Sequence, residues 1–280
     1  SYETICELLK KNYQLILSGP PGTSKSYLAN KIGDDKFEKE NITRIQFHPK
    51  YSYQDFIGGY IVRGTLVEYI QGVLYKLSNK AKEHGDKDFL LIIDEINRAN
   101  VGQVFGETIQ CLDRNSSTQV LIDGVLQEFS LPTNLKIIGT MNTSDRSVGA
   151  IDFAIKRRFT SVYCPSDPDI LVDLCTNDFG FSFADFLRTI NRKLFVTLKN
   201  KELAVGHTFF LDKNIIDKGR FNWSIRDFEL MFNFKILPLI EDFTKGNTVQ
   251  LIEIIGPELH ERLSGSDFKS ALDSYLNNES

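Results

Sequence analysis

Several features that would set the chain apart from ordinary globular proteins are missing. No apolar run approaches the ~20 residues that a membrane-spanning helix needs, and no signal-peptide pattern opens the chain. Cysteine is scarce: Cys6, Cys111, Cys164 and Cys175 lie far apart without metal-site spacing, which is typical of a reduced, cytoplasmic protein. A formal net charge of −4 argues against strong non-specific binding of nucleic acid. Any contact with DNA would therefore need assembly of several chains or a separate domain, and we expect no membrane partner.

The 280 residues, 41 % of them hydrophobic and 25 % charged, suffice for one large or two modest globular domains. Continuous apolar runs, typical of strands buried on both faces, occupy residues 14–18, 42–47, 89–94 and 135–141. Helical patterns occupy residues 1–12, 24–32, 72–83 and 102–113. Strands that alternate with helices predict a parallel, doubly wound α/β sheet with ligands at the carboxyl ends of the strands.

Two segments interrupt this alternation. Residues 60–71 carry a turn at Arg63-Gly64, and residues 120–129 turn at Asp123-Gly124, so both are predicted to be inserted β-hairpins. After about Pro165 the character changes, because the later segments show helical spacing, at residues 167–176, 183–199 and 223–242, with almost no buried-strand signal. We therefore predict an α/β domain over residues 1–165 and a smaller helical lid over residues 166–280.

Residues 19–26 read GPPGTSKS and stand between the first strand and a helix. The P-loop pattern G-x-x-x-x-G-K-[ST] is met except that Ser24 replaces the second glycine, and its side chain can point away from the phosphates. Such a loop turns its backbone N–H groups onto the β-phosphate, Lys25 reaches the β- and γ-phosphates, and the Ser26 hydroxyl binds Mg²⁺. The residues expected to bind the nucleotide are Gly19, Pro20, Pro21, Gly22, Thr23, Ser24, Lys25, Ser26 and Tyr27.

A hydrolytic centre is predicted at the ends of two later strands. Residues 89–95 read FLLIIDE, so Asp94 would hold Mg²⁺ and Glu95 would orient and polarise the attacking water. The strand at 135–141 ends in Asn142, whose amide would lie near the γ-phosphate and help to hold that water.

An arginine pair follows a short helical stretch after this last strand. Arg157 and Arg158 would project from one subunit onto the γ-phosphate of its neighbour and stabilise the charge of the transition state. A solvated basic patch is the plainer interpretation, and the sequence leaves open which arginine acts.

Five longer motifs resemble one known family closely. They read FHPKYSYQDFI at residues 47–57, DEINRAN at 94–100, MNTSDRS at 141–147, IDFAIKRRF at 151–159 and GHTFF at 206–210. The chain resembles the McrB family of AAA+ proteins over nearly its whole length. DEINRAN together with MNTSDRS is specific, whereas MoxR-like and dynein-related ATPases share the hairpin inserts without that combination. The predicted fold class is thus an AAA+ P-loop NTPase with a doubly wound parallel sheet and β-hairpin inserts, followed by a helical lid.

The resemblance implies a hexameric ring that hydrolyses GTP, with ATP as the alternative, and that pairs with a McrC-like endonuclease subunit. It also implies translocation on DNA that carries modified bases. By motif position, Asn97 and Arg98 would help to position the water and relay contact with the partner. Arg146, with Arg157 or Arg158, would act near the subunit junction. A DNA-reading domain normally precedes this motor, and because Ser1 lies about a dozen residues before the first strand, we expect a truncated form of a longer protein.

Two further features leave alternatives open. His207, in the GHTFF motif, would either approach the nucleotide or a hinge, or pack as a structural histidine. Tyr51, Tyr53 and Phe56 would either stack on nucleic acid or pack in the core or between subunits, and packing is favoured because only Lys50 supplies a basic charge among them.

Three classes of function fit these patterns. The leading interpretation is the GTP-hydrolysing motor of a restriction complex, and the pair of specific motifs favours it. The second is a MoxR-like, ATP-dependent chaperone that remodels a protein partner. The third is a non-hydrolysing scaffold, against which the intact Lys25, Glu95 and Asn142 argue.

Overall fold

The computed structural model describes residues 1–144, 151–172, 182–211, 216–217, 220–221 and 223–277. Their contacts divide the chain into two compact units. The first unit consists of Ser1–Ser18 and Lys25–Tyr163, and the second of Gly19–Ser24 and Cys164–Ser280. The short loop after the first strand thus groups with the second unit. Within the described ranges, no helix combines the length and the apolar character that crossing a membrane would require.

The strands of the first part of the chain are β1 (Gln14–Gly19), β2 (Ile42–Gln46), β3 (Gly58–Arg63), β4 (Leu66–Gln71), β5 (Phe89–Asp94), β6 (Ser117–Ile122), β7 (Val125–Ser130), β8 (Leu135–Asn142) and β9 (Thr160–Tyr163). Five of them form one sheet in the order β2-β5-β8-β1-β9. The pairs β2–β5, β5–β8 and β1–β9 are parallel. The apolar strands β1, β5 and β8 are buried almost throughout, as continuous apolar sequences predict.

Strand β9 is absent from the sequence-based prediction. Its four residues alternate between half-buried and exposed, because β9 pairs only with β1 at one edge of the sheet. A short edge strand with one solvated face lacks the apolar run that reveals the central strands.

The helices of the first unit are α1 (Tyr2–Asn12), α2 (Lys25–Lys36), α3 (Tyr53–Phe56), α4 (Val73–Glu83), α5 (Val101–Phe105) and α6 (Phe153–Lys156). The continuous helix predicted for residues 102–113 is wrong. Helix α5 ends directly before Gly106, where φ is +52°, and a 3₁₀ segment continues over Gly106–Leu112. A side chain at Gly106 would place its Cβ 2.9 Å from the ring of Tyr53, so glycine is required both by the backbone and by the packing.

Both predicted hairpins are present. Strands β3 and β4 pair antiparallel, as do β6 and β7. The second hairpin turns at Asp123 and Gly124, whose φ values of +48° and +78° are those of the tight two-residue turn that this dipeptide favours. The hydroxyl of Tyr60, on β3, donates a hydrogen bond to the Asp123 carboxylate, so the two hairpins touch.

The aromatic residues of the 47–57 motif pack within the first unit. Phe56 is fully buried against Phe105, and the ring of Tyr51 stacks on Phe47 with 4.6 Å between centroids. Burial raises the pKa of Tyr51 to about 12. Tyr53 is partly buried against the same core. Internal packing, rather than stacking on nucleic acid, is therefore the use that the structure gives these rings.

The helices of the second unit are α7 (Phe183–Leu198), α8 (Ile225–Met231), α9 (Leu237–Thr244), α10 (Thr248–Ile255) and α11 (Gly265–Asn277), and its two short strands are β10 (Ile216–Asp217) and β11 (Arg220–Phe221). The helix predicted for residues 223–242 is broken by a π-helical turn over Phe232–Ile236, directly before Pro238 in the first turn of α9. Because proline cannot donate to the preceding turn, the local wider winding is expected there. Part of the helix predicted for residues 167–176 is instead a 3₁₀ turn, Pro168–Leu171, and the rest lies outside the described residues.

Clustered aromatic rings form the core of the second unit. Phe183, Phe186, Phe210, Phe228 and Phe232 are all buried, and neighbouring ring centroids are 5.2 to 6.4 Å apart. Edge-to-face contacts of this kind add to the free energy that burial of the apolar surface supplies.

Candidate functional site

The loop after β1 is built from small residues in unusual backbone conformations. Gly22 has φ +73° and Ser24 has φ +60°, and the Thr23 hydroxyl donates to the Pro20 carbonyl at 2.9 Å. A Cβ on Gly19 would lie 2.3 Å from the Cys164 carbonyl oxygen, so no larger residue fits there. Helix α2 begins at Lys25, directly after the loop. A compact loop that leads into a helix N-terminus is the arrangement that binds phosphate through backbone N–H groups.

Ser26 and Asp94 meet in the first unit. The Ser26 hydroxyl donates to Asp94 Oδ1 at 2.7 Å, and the Thr140 hydroxyl donates to the same oxygen. Within the described residues, no cluster of three or more His, Cys, Asp or Glu side chains could enclose a metal ion. One carboxylate and one hydroxyl fit Mg²⁺, which keeps several waters and takes further oxygens from a substrate. The two predicted metal residues are thus placed together, and a cavity of about 280 Å³ opens beside them.

Glu95 stands immediately beyond strand β5 in a left-handed backbone conformation, with φ +52°. Its backbone N–H donates to the Thr140 hydroxyl at 3.2 Å, and its carboxylate accepts from Asn142 Nδ2 at 2.6 Å. A non-glycine residue in this conformation is uncommon and is found preferentially at functional sites. Because β5 and β8 are parallel neighbours, Glu95 and Asn142 lie at the same edge of the sheet, as the sequence predicts.

Asn97 and Arg98 lie beside this pair. Asn97 is buried, and its Nδ2 donates to the Asn142 carbonyl at 3.3 Å. Arg98 Nε lies 3.7 Å from Glu95 Oε2, and 44 % of the Arg98 side chain is exposed. The buried amide therefore supports the end of β8, while the arginine borders the Glu95 carboxylate from the solvent side.

The two arginines after α6 have different surroundings. Arg158 is only 10 % exposed, its Nε lies 2.8 Å from Asp113 Oδ2, and its Nη1 donates to the Ala154 carbonyl. Arg157, the preceding residue, is exposed. The geometry therefore engages Arg158 within its own unit and leaves Arg157 at the surface. Arg146, the third candidate arginine, lies outside the described residues.

Thr140 is a site residue that the sequence analysis did not identify. It is buried, it donates to Asp94 and it accepts from the Glu95 backbone, so it links the residue predicted to bind the metal with the residue predicted to orient the water. The sequence offered one signal, a hydroxyl after the apolar run of this strand and two residues before Asn142. Tyr27, in the first turn of α2, is 68 % exposed.

A larger cavity, of about 640 Å³, lies elsewhere in the first unit. Its lining includes Leu9, Tyr13, Asp88 and Lys136, which stand near the beginnings of the buried strands. Ligands of parallel α/β sheets bind at the opposite, carboxyl ends of the strands. The smaller cavity beside Ser26 and Asp94 is therefore the one that lies where ligands of such sheets bind.

Comparison with known proteins agrees with these features. The family described as "AAA domain (dynein-related subfamily)" matches residues 14–159. The Type IV methyl-directed restriction enzyme EcoKMcrB subunit of Escherichia coli strain K12 is 31 % identical over 226 residues, which cover 74 % of this chain and 49 % of that protein. The Type II restriction enzyme BsuMI component YdiS of Bacillus subtilis strain 168 is 32 % identical over 193 residues, which cover 53 % of this chain and 56 % of that protein. The chain thus spans about half the length of these two relatives.

Among solved structures, NtrX from Brucella abortus aligns over 99 % of this chain and 66 % of its own, with 16 % identity and a TM-score of 0.43. The family match and the restriction-enzyme relatives confirm the resemblance that the DEINRAN and MNTSDRS motifs indicate. The predicted fold class is also confirmed, as an α/β P-loop fold with a helical C-terminal region.

Proposed function

Because this chain belongs to the dynein-related subfamily of AAA domains, we propose that it hydrolyses a nucleoside triphosphate, GTP in preference to ATP, as the motor subunit of a McrBC-type restriction complex. The observation that carries the proposal is the linked set of hydrogen bonds that joins Ser26, Asp94, Thr140, Glu95 and Asn142. This set supports the proposal because it joins the residues proposed to bind the metal and those proposed to orient the water at one edge of a parallel sheet. The names of the two relatives support the restriction system as the setting.

In the proposed mechanism, the backbone N–H groups of residues 22–24 and the Lys25 ammonium bind the phosphates, since Pro20 and Pro21 have no N–H to donate. Ser26 and Asp94 would hold Mg²⁺, which when bound would neutralise charge on the phosphate oxygens. Glu95 orients the attacking water and accepts its proton, and Asn142 fixes the carboxylate in position through its 2.6 Å hydrogen bond.

The transition-state charge is stabilised by an arginine from a neighbouring subunit, and Arg157 is the better candidate of the pair. Arg158 is held by Asp113, whereas Arg157 is exposed and can reach outward. This division supports assembly into a ring, proposed as a hexamer. A McrC-like endonuclease subunit would stimulate hydrolysis, and DNA would be engaged through the assembled complex.

Nucleotide competition tests the proposal directly. A fluorescent GTP analogue is bound to the chain with Mg²⁺ and displaced by unlabelled GTP or ATP, and phosphate release is measured in parallel. We expect GTP to displace the analogue at a concentration about tenfold or more below that of ATP, which corresponds to ~1.4 kcal/mol of binding free energy. Lys25→Ala is the control and should abolish binding. Equal displacement by ATP would remove the GTP preference, and hydrolysis of neither nucleotide would refute the whole proposal.

One observation favours a second candidate function, the ATP-dependent remodelling of a protein partner. Both hairpins expose apolar side chains, including Val62, Leu66 and Val67 on the first and Leu121 and Leu126 on the second. Exposed apolar groups of this kind are typical of surfaces that contact proteins. A preference for ATP in the competition assay, together with hydrolysis that responds to an unfolded protein and not to a McrC-like subunit, would favour this function.

A further inference from the structure

Ser24 occupies the loop position at which glycine is usual, and it retains the backbone that glycine would adopt. Its φ of +60° lies in the left-handed region, which is unfavourable for residues that carry a Cβ. Serine is not among the residues that enter this region readily. Something in the surrounding structure must therefore hold Ser24 in this conformation.

The side chain of His207 supplies that contact. His207 Nε2 lies 2.7 Å from Ser24 Oγ, and the imidazole is buried, with 2 % of the residue exposed. The other ring nitrogen, Nδ1, accepts a hydrogen bond from the backbone N–H of Asp167 at 3.1 Å. Because a backbone N–H can only donate, Nδ1 has no proton in the neutral ring, and the proton is on Nε2. His207 therefore donates to the Ser24 hydroxyl.

The segment that carries His207 lies directly against the loop. The Thr208 N–H donates to the Gly22 carbonyl at 3.0 Å. A Cβ on Gly206 would lie 2.1 Å from the same Gly22 oxygen, so the two backbones approach as closely as two glycines allow. The loop and the segment that carries His207 are thus joined both by backbone contacts and by the Ser24–His207 hydrogen bond. Both segments belong to the same compact unit of the chain.

We infer that His207 is a positioning residue for the phosphate-binding loop: through Ser24 it holds the left-handed conformation that other loops of this kind obtain from glycine. The inference rests on the proposed function, because it assigns His207 to the binding of the nucleotide phosphates. It also explains how a loop without the second glycine can keep a phosphate-binding shape. The serine therefore needs the histidine, whereas a glycine at this position would not.

A double-mutant cycle tests the pairing. The dissociation constant of a fluorescent GTP analogue, and of its ATP counterpart, is measured for the wild type, Ser24→Gly, His207→Ala and the double variant. We expect His207→Ala to raise Kd about tenfold, since Ser24 keeps its unfavourable backbone and loses its partner. Ser24→Gly alone should change Kd by less than about threefold. In the Ser24→Gly background, His207→Ala should change Kd by less than about twofold, because glycine needs no support.

Three controls separate positioning from general stability. His207→Gln retains an N–H donor near the position of Nε2 and should recover most of the lost affinity. Thr208→Ala truncates a neighbouring side chain without touching Ser24 or the backbone hydrogen bond to Gly22, and should leave Kd close to the wild-type value. Thermal unfolding is recorded for every variant, so that affinity is compared only among folded proteins.

The outcomes distinguish the inference from the function on which it rests. If the wild type binds the analogue and His207→Ala raises Kd by the same factor in the wild-type and Ser24→Gly backgrounds, His207 acts independently of the serine and the inference is overturned. The same holds if His207→Ala has no effect on Kd in the wild-type background. If the wild type binds neither analogue, the proposed function fails first, and a positioning role for a nucleotide fails with it.

Discussion

Replacement of Glu95 by glutamine separates nucleotide binding from hydrolysis, because the two side chains have nearly the same shape. The glutamine Oε1 can still accept the 2.6 Å hydrogen bond from Asn142 Nδ2. The other carboxylate oxygen lies 3.7 Å from Arg98 Nε, and Arg98 is 44 % exposed, so loss of this ion pair should cost no more than ~1 kcal/mol. The substitution therefore leaves the local structure in place and removes only the group that can accept a proton from water.

A positioned general base typically contributes about 10²- to 10⁴-fold to a rate. We expect kcat of Glu95→Gln to fall by this factor, which corresponds to ~2.7–5.4 kcal/mol of activation free energy. The dissociation constant of the nucleotide should change less than about threefold, since the carboxylate acts on water and not on the phosphates. Phosphate release under saturating nucleotide gives kcat, and titration with a fluorescent analogue gives Kd.

Two further variants serve as controls for this experiment. Glu83→Gln makes the same change of charge on an exposed residue at the end of α4 and should leave both constants unchanged. Lys25→Ala should lose nucleotide binding. If Glu95→Gln lost affinity to the same extent as Lys25→Ala, or kept more than a tenth of the wild-type kcat, the role assigned to Glu95 would be refuted.

Four further substitutions have distinct expected outcomes. Arg157→Ala should leave the melting temperature unchanged and lower the rate of GTP hydrolysis about 10³-fold. The rate is measured at a protein concentration at which light scattering, in a parallel sample with a non-hydrolysable GTP analogue, detects oligomers. Full activity of a strict monomer would contradict the role in trans. Arg158→Ala should instead lower the free energy of unfolding by about 1–2 kcal/mol in urea titrations, because it removes the contacts with Asp113 and the Ala154 carbonyl. Asn97→Ala should reduce hydrolysis stimulated by a McrC-like subunit far more than basal hydrolysis, and an equal fall in both rates would place Asn97 in the basal chemistry. Gly106→Ala should destabilise the chain by more than ~1 kcal/mol, since φ is +52° there and the added methyl would meet a tyrosine ring; an unchanged urea midpoint would contradict this.

The sequence alone predicted that the candidate residues for hydrolysis lie at the carboxyl ends of the sheet strands. Apolar runs that end in Asp94-Glu95 and in Asn142 identify buried parallel strands, and parallel strands present their carboxyl ends at one edge of the sheet. The residue types Asp123-Gly124 likewise predicted the turn at that point. These features depend on short segments whose residue types permit few conformations.

The points at which helices end were harder to predict from the sequence. The helix predicted over residues 102–113 stops before Gly106, and helical spacing gave no indication of it. The reason lies in a residue distant in sequence: the Tyr53 ring occupies the space that a side chain at this position would fill. Edge strand β9 was missed for a related reason, since its identity comes from its pairing with β1 and not from an apolar run of its own.

The sequence by itself identified candidate residues for phosphate binding and hydrolysis, because the loop, the acidic strand end and the arginine pair each have a spacing typical of those functions. Only the tertiary structure distinguishes the surroundings of Arg157 from those of Arg158, since Arg158 contacts Asp113, 45 residues earlier in the chain, whereas Arg157 is exposed. It alone brought Thr140 to Asp94 and His207 to Ser24, the latter across 183 residues. Contacts between residues so far apart follow from how strands and helices pack, and no local periodicity encodes them.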